Sequence, residues 1–141
     1  MLIADTGFFF GLADRNDPWH ARSVTALRDL REGLITTWPV VTETAYLIGK
    51  FLGEAYRQRF LEQAFAETFT IFDMSPRHGA RIMDLIRRYA NLPMDLADAS
   101  LVLLAEHLGH GRILSTDMRD FGAYRWKNHA PFENLLVAEH S

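Results

Sequence analysis

The segment Pro93–Asp117, PMDLADASLVLLAEHLGHGRILSTD, decides how the chain is read. Gly109 and Gly111 divide it into a helix followed by a short strand. Asp95 is placed to cap the helix and Asp98 falls in its first turn, where negative side chains answer unpaired amide groups and the positive end of the macrodipole. The same spacing puts Asp98 on one stripe with Leu101, Val102 and Ala105, and an apolar stripe of this kind faces a core. A carboxylate there is costly without a partner. The run Arg112–Thr116, reading RILST, predicts a buried strand that delivers Asp117 just past its end. Parallel α/β sheets gather ligands and chemistry at that place. Two acids are therefore directed toward one site.

Composition bounds the rest. A chain of 141 residues, 48% of them apolar, fits one domain spanning 1–141 with a substantial core. The absence of cysteine excludes disulfides and thiolate metal sites and permits a reducing cytoplasm. A net charge of −3 argues against generic polyanion binding, although local basic faces can still attract RNA phosphates around an acidic site. The opening MLIADTGFFFGLA lacks a basic leader and carries Asp5, so neither a signal peptide nor a transmembrane span is expected. The expected location is the cytoplasm.

In chain order, Leu2–Ala4 reads as a buried strand running into a turn at Asp5-Thr6-Gly7. Asp5 then stands at a strand end, as Asp117 does. Asp-Thr-Gly after an apolar strand is also the local signature of retropepsin-like aspartic proteases, but those are nearly all β, and here Phe8, Phe9 and Phe10 lead into a helical pattern. Asp17 and Pro18 open a helix with Val24, Leu27 and Leu30 on one face, extending to Gly33. Leu34–Thr37 is a second strand. Pro39 opens a helix to about Leu52, ended by Gly53, on which Glu43 lies alongside Val40, Tyr46 and Leu47; taken alone, Glu43 reads as a first-turn acid facing the dipole.

Glu54–Thr68 predicts an aromatic-rich amphipathic helix and Phe69–Phe72 a third strand. Ser75 and Pro76 start a helix reaching about Ala90, where Arg77, Arg81 and Arg88 share a side that Asp84 interrupts; a solvated, salt-bridged face is expected. Residues 117–121 read as a polar loop and Phe132–Val137 as a last strand. His107 and His110 are separated by the helix-ending Gly109, which argues against a zinc pair. The alternation of strands and helices predicts a three-layer α/β/α domain around a mainly parallel sheet.

The order of these features resembles the PIN domain, and within it the VapC-type toxins of bacterial toxin–antitoxin pairs. The resemblance runs over essentially the whole chain: a strand ending in Asp5, a helix bearing Glu43, Asp98 within DLADASLV, then ILSTDMRDF and PFENLL. It implies that Asp5, Glu43, Asp98 and Asp117 gather at the strand ends and bind Mg²⁺ or Mn²⁺ for endoribonuclease chemistry. Ser115 takes the place where that family usually has Thr, and keeps the hydroxyl. Gly7 stands where many members carry a polar side chain, and Asp95 and Asp120 are additional acids beside the motif, Asp120 sharing the loop of Asp117.

If the four acids gather as the resemblance implies, electrostatics calls for a cation among them. Carboxylates about 5 Å apart repel by roughly 3 kcal/mol per pair at an effective dielectric of about 20. A hard divalent ion relieves that repulsion, and Mg²⁺ does so while keeping several waters. Such an ion can acidify a water and neutralise charge on a phosphate in the transition state. Asp5, Asp98 and Asp117 are expected to coordinate, directly or through water. Glu43 would orient a water or a second ion, and Ser115 would steady a carboxylate.

Three function classes follow. The first is a metal-dependent endoribonuclease toxin. The second is a non-catalytic RNA- or protein-binding module of the same fold, against which the retention of four mutually repelling acids argues. The third, a phosphatase of the haloacid dehalogenase type, needs a second Asp where Gly7 stands. The resemblance further implies a VapB-like antitoxin lying across the acidic site, and a homodimer. The aromatic-rich helices between Val40 and Phe69 offer apolar surface in keeping with such partners.

Overall fold

The computed structural model describes residues 1–137. Three short strands with wholly buried side chains, or nearly so, form the heart of the sheet: β1 (Leu2–Ala4), β2 (Leu34–Thr37) and β4 (Arg112–Leu114), joined by β3 (Thr70–Phe72) and β7 (Glu133–Asn134). Their order is β3-β2-β1-β4-β7, and every pairing in this sheet is parallel. Apolar runs without alternation suit strands covered on both faces. Helices flank the sheet, in the α/β/α arrangement that the strand–helix alternation predicts.

Because the chain goes from β1 to β2 on one side and returns to β4 on the other, the carboxyl ends of β1 and β4 border a switch point in strand order. A crevice opens outside the sheet at such a point. Asp5 follows β1 directly, and Ser115 follows β4.

Helix α6 (Leu96–Leu108) lies against β1 and β2 and also meets α3 (Trp38–Phe51) and α5 (Gly79–Arg88). Its residues Leu101, Val102, Leu104 and Ala105 are almost wholly buried. A buried leucine contributes roughly 1.5–3 kcal/mol relative to an exposed one, so this face anchors the helix that carries Asp98. Asp95 caps it by accepting from the Asp98 amide at 2.8 Å, and Gly109 ends it in the left-handed conformation at φ 79°, as only glycine does without penalty.

Several expectations are corrected. The second helix, α2 (His20–Arg28), begins two residues after Pro18, since Asp17 instead accepts from the Trp19 amide in a local turn. It also ends before Gly33, and its Val24 and Leu27 stay exposed. The segment after Asp117 is a helix, α7 (Met118–Ala123), rather than a loop, because Asp117 accepts from the Asp120 amide and caps it. The last strand is only Glu133–Asn134, and a small antiparallel pair, β5 (Arg125–Trp126) with β6 (Ala130–Pro131), precedes it. The arginine face of α5 is salt-bridged at Arg81, which holds Asp84 and both oxygens of Glu106.

Candidate active site

Helix α1 (Thr6–Ala13) starts at the end of β1, and Asp5 is its cap: the carboxylate accepts from the Phe8 amide at 3.1 Å. Asp5 is 6% exposed, and the Ser115 hydroxyl donates to its other oxygen. The same hydroxyl accepts from the Asp117 amide at 2.9 Å, tying the ends of β1 and β4 together. Ser115 is fixed in turn by Asn134, whose Oδ1 accepts from the Ser115 amide at 3.1 Å while its Nδ2 donates to the Ser115 carbonyl at 2.9 Å.

Asp98 is held by a reciprocal capping box with Asp95, and the Tyr124 hydroxyl donates to it at 3.3 Å. Glu43 projects from the first half of α3 and lines the cleft together with Thr6. These pieces come from distant parts of the chain. Asp5, Glu43, Asp98 and Asp117 nevertheless line one small cleft of about 190 Å³, with Thr6 and Thr116 beside them. Asp95 and Asp120 do not line it, but each adjoins an acid that does: Asp95 faces Glu43 and Asp98, while Asp120 lies by Asp117 and pairs with Arg119.

The electrostatics are one-sided. No lysine or arginine lines the cleft. Burial pushes the Asp5 carboxyl up to about 6, against the lowering effect of its bonds from Ser115 and Phe8, and the charges of Asp117 and Glu43 add to the rise. Burial and the neighbouring Asp95 push Asp98 up to about 7. Glu43 and Asp117 are raised chiefly by burial, Glu43 also by Asp95 and Asp117 also by Asp120. Among the described residues, no three His, Cys, Asp or Glu side chains are placed close enough together to hold a metal ion between them.

Sequence reasoning missed Thr116, Tyr124 and Asn134. Asn134 lies within the PFENLL motif, which is its only local signal. Tyr124 has none, since its role depends on α6 and the α7 end meeting in space. Thr116 enters the cleft through its closeness to Gly7.

A family model described as PIN domain matches residues 2–127. The chain belongs to the PIN-domain family. Among curated relatives, this PIN-domain chain is 23% identical over 124 residues to "Ribonuclease VapC26" of Mycobacterium tuberculosis, an overlap of 88% of this chain and 92% of that protein. Its fold matches the crystal structure of Mycobacterium tuberculosis VapC20, described as a sarcin-ricin loop cleaving toxin, with a TM-score of 0.82 at 16% identity, over 93% of this chain and all of the other. A toxin–antitoxin complex from Klebsiella pneumoniae matches with a TM-score of 0.64 at 18% identity, covering 87% of this PIN domain and 92% of that chain.

Proposed function

We propose that this PIN-domain protein is a Mg²⁺- or Mn²⁺-dependent endoribonuclease that hydrolyses RNA phosphodiester bonds, the toxin of a type II toxin–antitoxin pair. The observation that carries the reading is the convergence of Asp5, Glu43, Asp98 and Asp117 on one cleft without a basic side chain in its lining. Evolving four acids into one cleft costs stability, and a divalent cation is the partner that offsets it. The ribonuclease name of the curated relative and the toxin folds of the structural neighbours point the same way.

The donor set fits such an ion. All the acid donors lining the cleft are hard oxygens, the ligand type Mg²⁺ takes while it retains waters between itself and the protein. Asp5, Asp98 and Asp117 would hold the ion directly or through water. When bound, it supplies positive charge against the phosphate oxygens and acidifies a water.

The chain's own groups do the positioning. Ser115 holds Asp5 by its hydroxyl and the Asp117 backbone by its oxygen, so two coordinating acids share one fixed point. Glu43 faces the same cleft from α3, where it can orient an attacking water or a second ion. Burial raises its pKa, which suits a group that takes a proton during hydrolysis.

As partners we propose a VapB-like antitoxin segment over the cleft and a homodimer, with the molecule working in the cytoplasm as one domain. Among the described residues no helix is long and apolar enough to cross a membrane. Supporting a protein partner, a groove of about 880 Å³ between α1, α2, α3 and α4 (Glu54–Phe65) is lined by Leu12, Val24, Leu27, Phe51 and Tyr56.

The deciding assay is cleavage of RNA with Mg²⁺ or Mn²⁺, repeated with chelator and with Asp98→Asn. Cleavage that stops under both treatments is expected. Cleavage indifferent to both would overturn the metal mechanism, and RNA binding without cleavage in any ion would favour the non-catalytic module.

A further inference from the structure

A second hollow, of about 580 Å³, adjoins the acid cleft and shares Glu43 and Ala97 with it. Its character is different. Trp38, at the start of α3, forms an aromatic wall that is 38% exposed and is backed by Phe65, with ring centroids 5.6 Å apart. Met74 and Leu96 add apolar surface, and Thr42, Glu43 and Asp95 supply the polar groups. No basic side chain lines it.

Resting on the ribonuclease reading, we propose that this hollow is a nucleobase subsite, which takes an unpaired base flanking the cleaved phosphate and stacks it on Trp38. A phosphate is a poor occupant because two carboxylates face the space without a counter-charge. A base has the opposite properties. Its flat apolar faces match an exposed indole, and single-stranded RNA is recognised in this way, by splayed bases on aromatic rings. Carboxylates accept from exocyclic amino groups, so adenine, cytosine and guanine are favoured over uracil, which has none. The continuity through Glu43 sets the base next to the acids while its backbone remains at the cleft.

The test reads binding apart from cleavage. Quenching of tryptophan fluorescence is followed on adding AMP, CMP, GMP, UMP or ribose 5-phosphate to the wild-type protein, Trp38→Phe and Trp38→Ala. Circular dichroism and sedimentation are recorded for each. Steady-state cleavage of a single-stranded RNA is then measured.

Quenching by the amino-bearing nucleotides, weaker for UMP and absent for ribose 5-phosphate, is expected in the wild type. It should disappear in Trp38→Phe. Trp38→Ala should raise KM roughly five- to a hundred-fold, with Trp38→Phe in between, since a phenyl ring still stacks. Equal quenching in wild type and Trp38→Phe would overturn the subsite. So would unchanged KM in Trp38→Ala, or a dimer turned into a monomer by that substitution, which would make this face a contact between copies. Nucleotide-specific quenching in a protein that cuts no RNA would instead defeat the ribonuclease reading and leave the base site standing.

Discussion

Gly7 and Thr116 occupy each other's space: a Cβ placed on Gly7 would lie 1.7 Å from Oγ1 and 2.9 Å from Cβ of Thr116. The missing side chain on α1 is therefore filled from the other side of the cleft, by the residue between Ser115 and Asp117. A hydroxyl lines the acids here even though the position after Asp5-Thr6 has no side chain.

This contact is directly testable. Gly7→Ser should destabilise the protein by about 1–3 kcal/mol through overpacking beside Asp5. Adding Thr116→Ala should restore part of the loss, because it removes Oγ1 but keeps the Cβ contact, and adding Thr116→Gly should restore more. Urea unfolding of the single and double variants checks the order; additive losses in the double variants would show that the two positions do not compete.

Ser115→Ala removes the hydroxyl that serves both Asp5 and the Asp117 amide. Cleavage should fall roughly 10–100-fold, with a weaker apparent affinity for Mg²⁺. Ser115→Thr keeps the hydroxyl and should lose less, though an added methyl at a fully buried position carries some packing cost. Metal titrations of the cleavage rate separate the two.

The pH dependence of stability has a definite sign. Asp5 and Asp98 have carboxyls raised to about 6 and about 7 in the folded protein, against 3.8 ordinarily. A raised acid binds its proton more tightly when folded, so its ionisation opposes folding at neutral pH. That opposition is relieved as pH falls through 7 and 6 toward 4. For the buried Asp5 it is on the order of 3 kcal/mol. The metal-free protein should therefore become more stable between about pH 8 and pH 5, and saturating Mg²⁺ should flatten the rise. At lower pH the trend should reverse, since Glu32, held down to about 2 by Arg112 and the N-terminal amine, contributes stability above about 4.5 that is lost as it protonates. Thermal melts across pH, with and without Mg²⁺, read both limbs.

Tyr124 is fully buried and donates its hydroxyl to Asp98. Tyr124→Phe keeps the edge-on packing with Tyr89 and Phe121 while removing that bond. The expected cost is about 1 kcal/mol in stability, together with a cleavage pH profile displaced upward as Asp98 loses a partner for its charge. An unchanged profile would show that the tyrosine only packs.

The legible parts of this molecule were those encoded locally. Asp98 announced itself through its place on the stripe of Leu101, Val102 and Ala105, and Asp5 through the strand before it; the alternation of such segments carried the parallel sheet. Features made by distant segments were illegible. Tyr124 reaches Asp98 only because α6 and the α7 end meet, and Asn134 braces Ser115 only because β7 pairs with β4. The β5–β6 hairpin turns at Lys127 and Asn128, both at positive φ, in a segment without glycine, so the usual turn signal was lacking. The capping role of Asp117 hid a helix behind a run that reads as a polar loop.

The most direct measurement is anomalous scattering from crystals soaked in Mn²⁺. A peak in the cleft, within direct or water-bridged reach of Asp5, Asp98 and Asp117 and absent from Asp98→Asn crystals, is expected. An empty cleft at saturating Mn²⁺ with a single-stranded RNA bound across it would contradict the metal-centred reading.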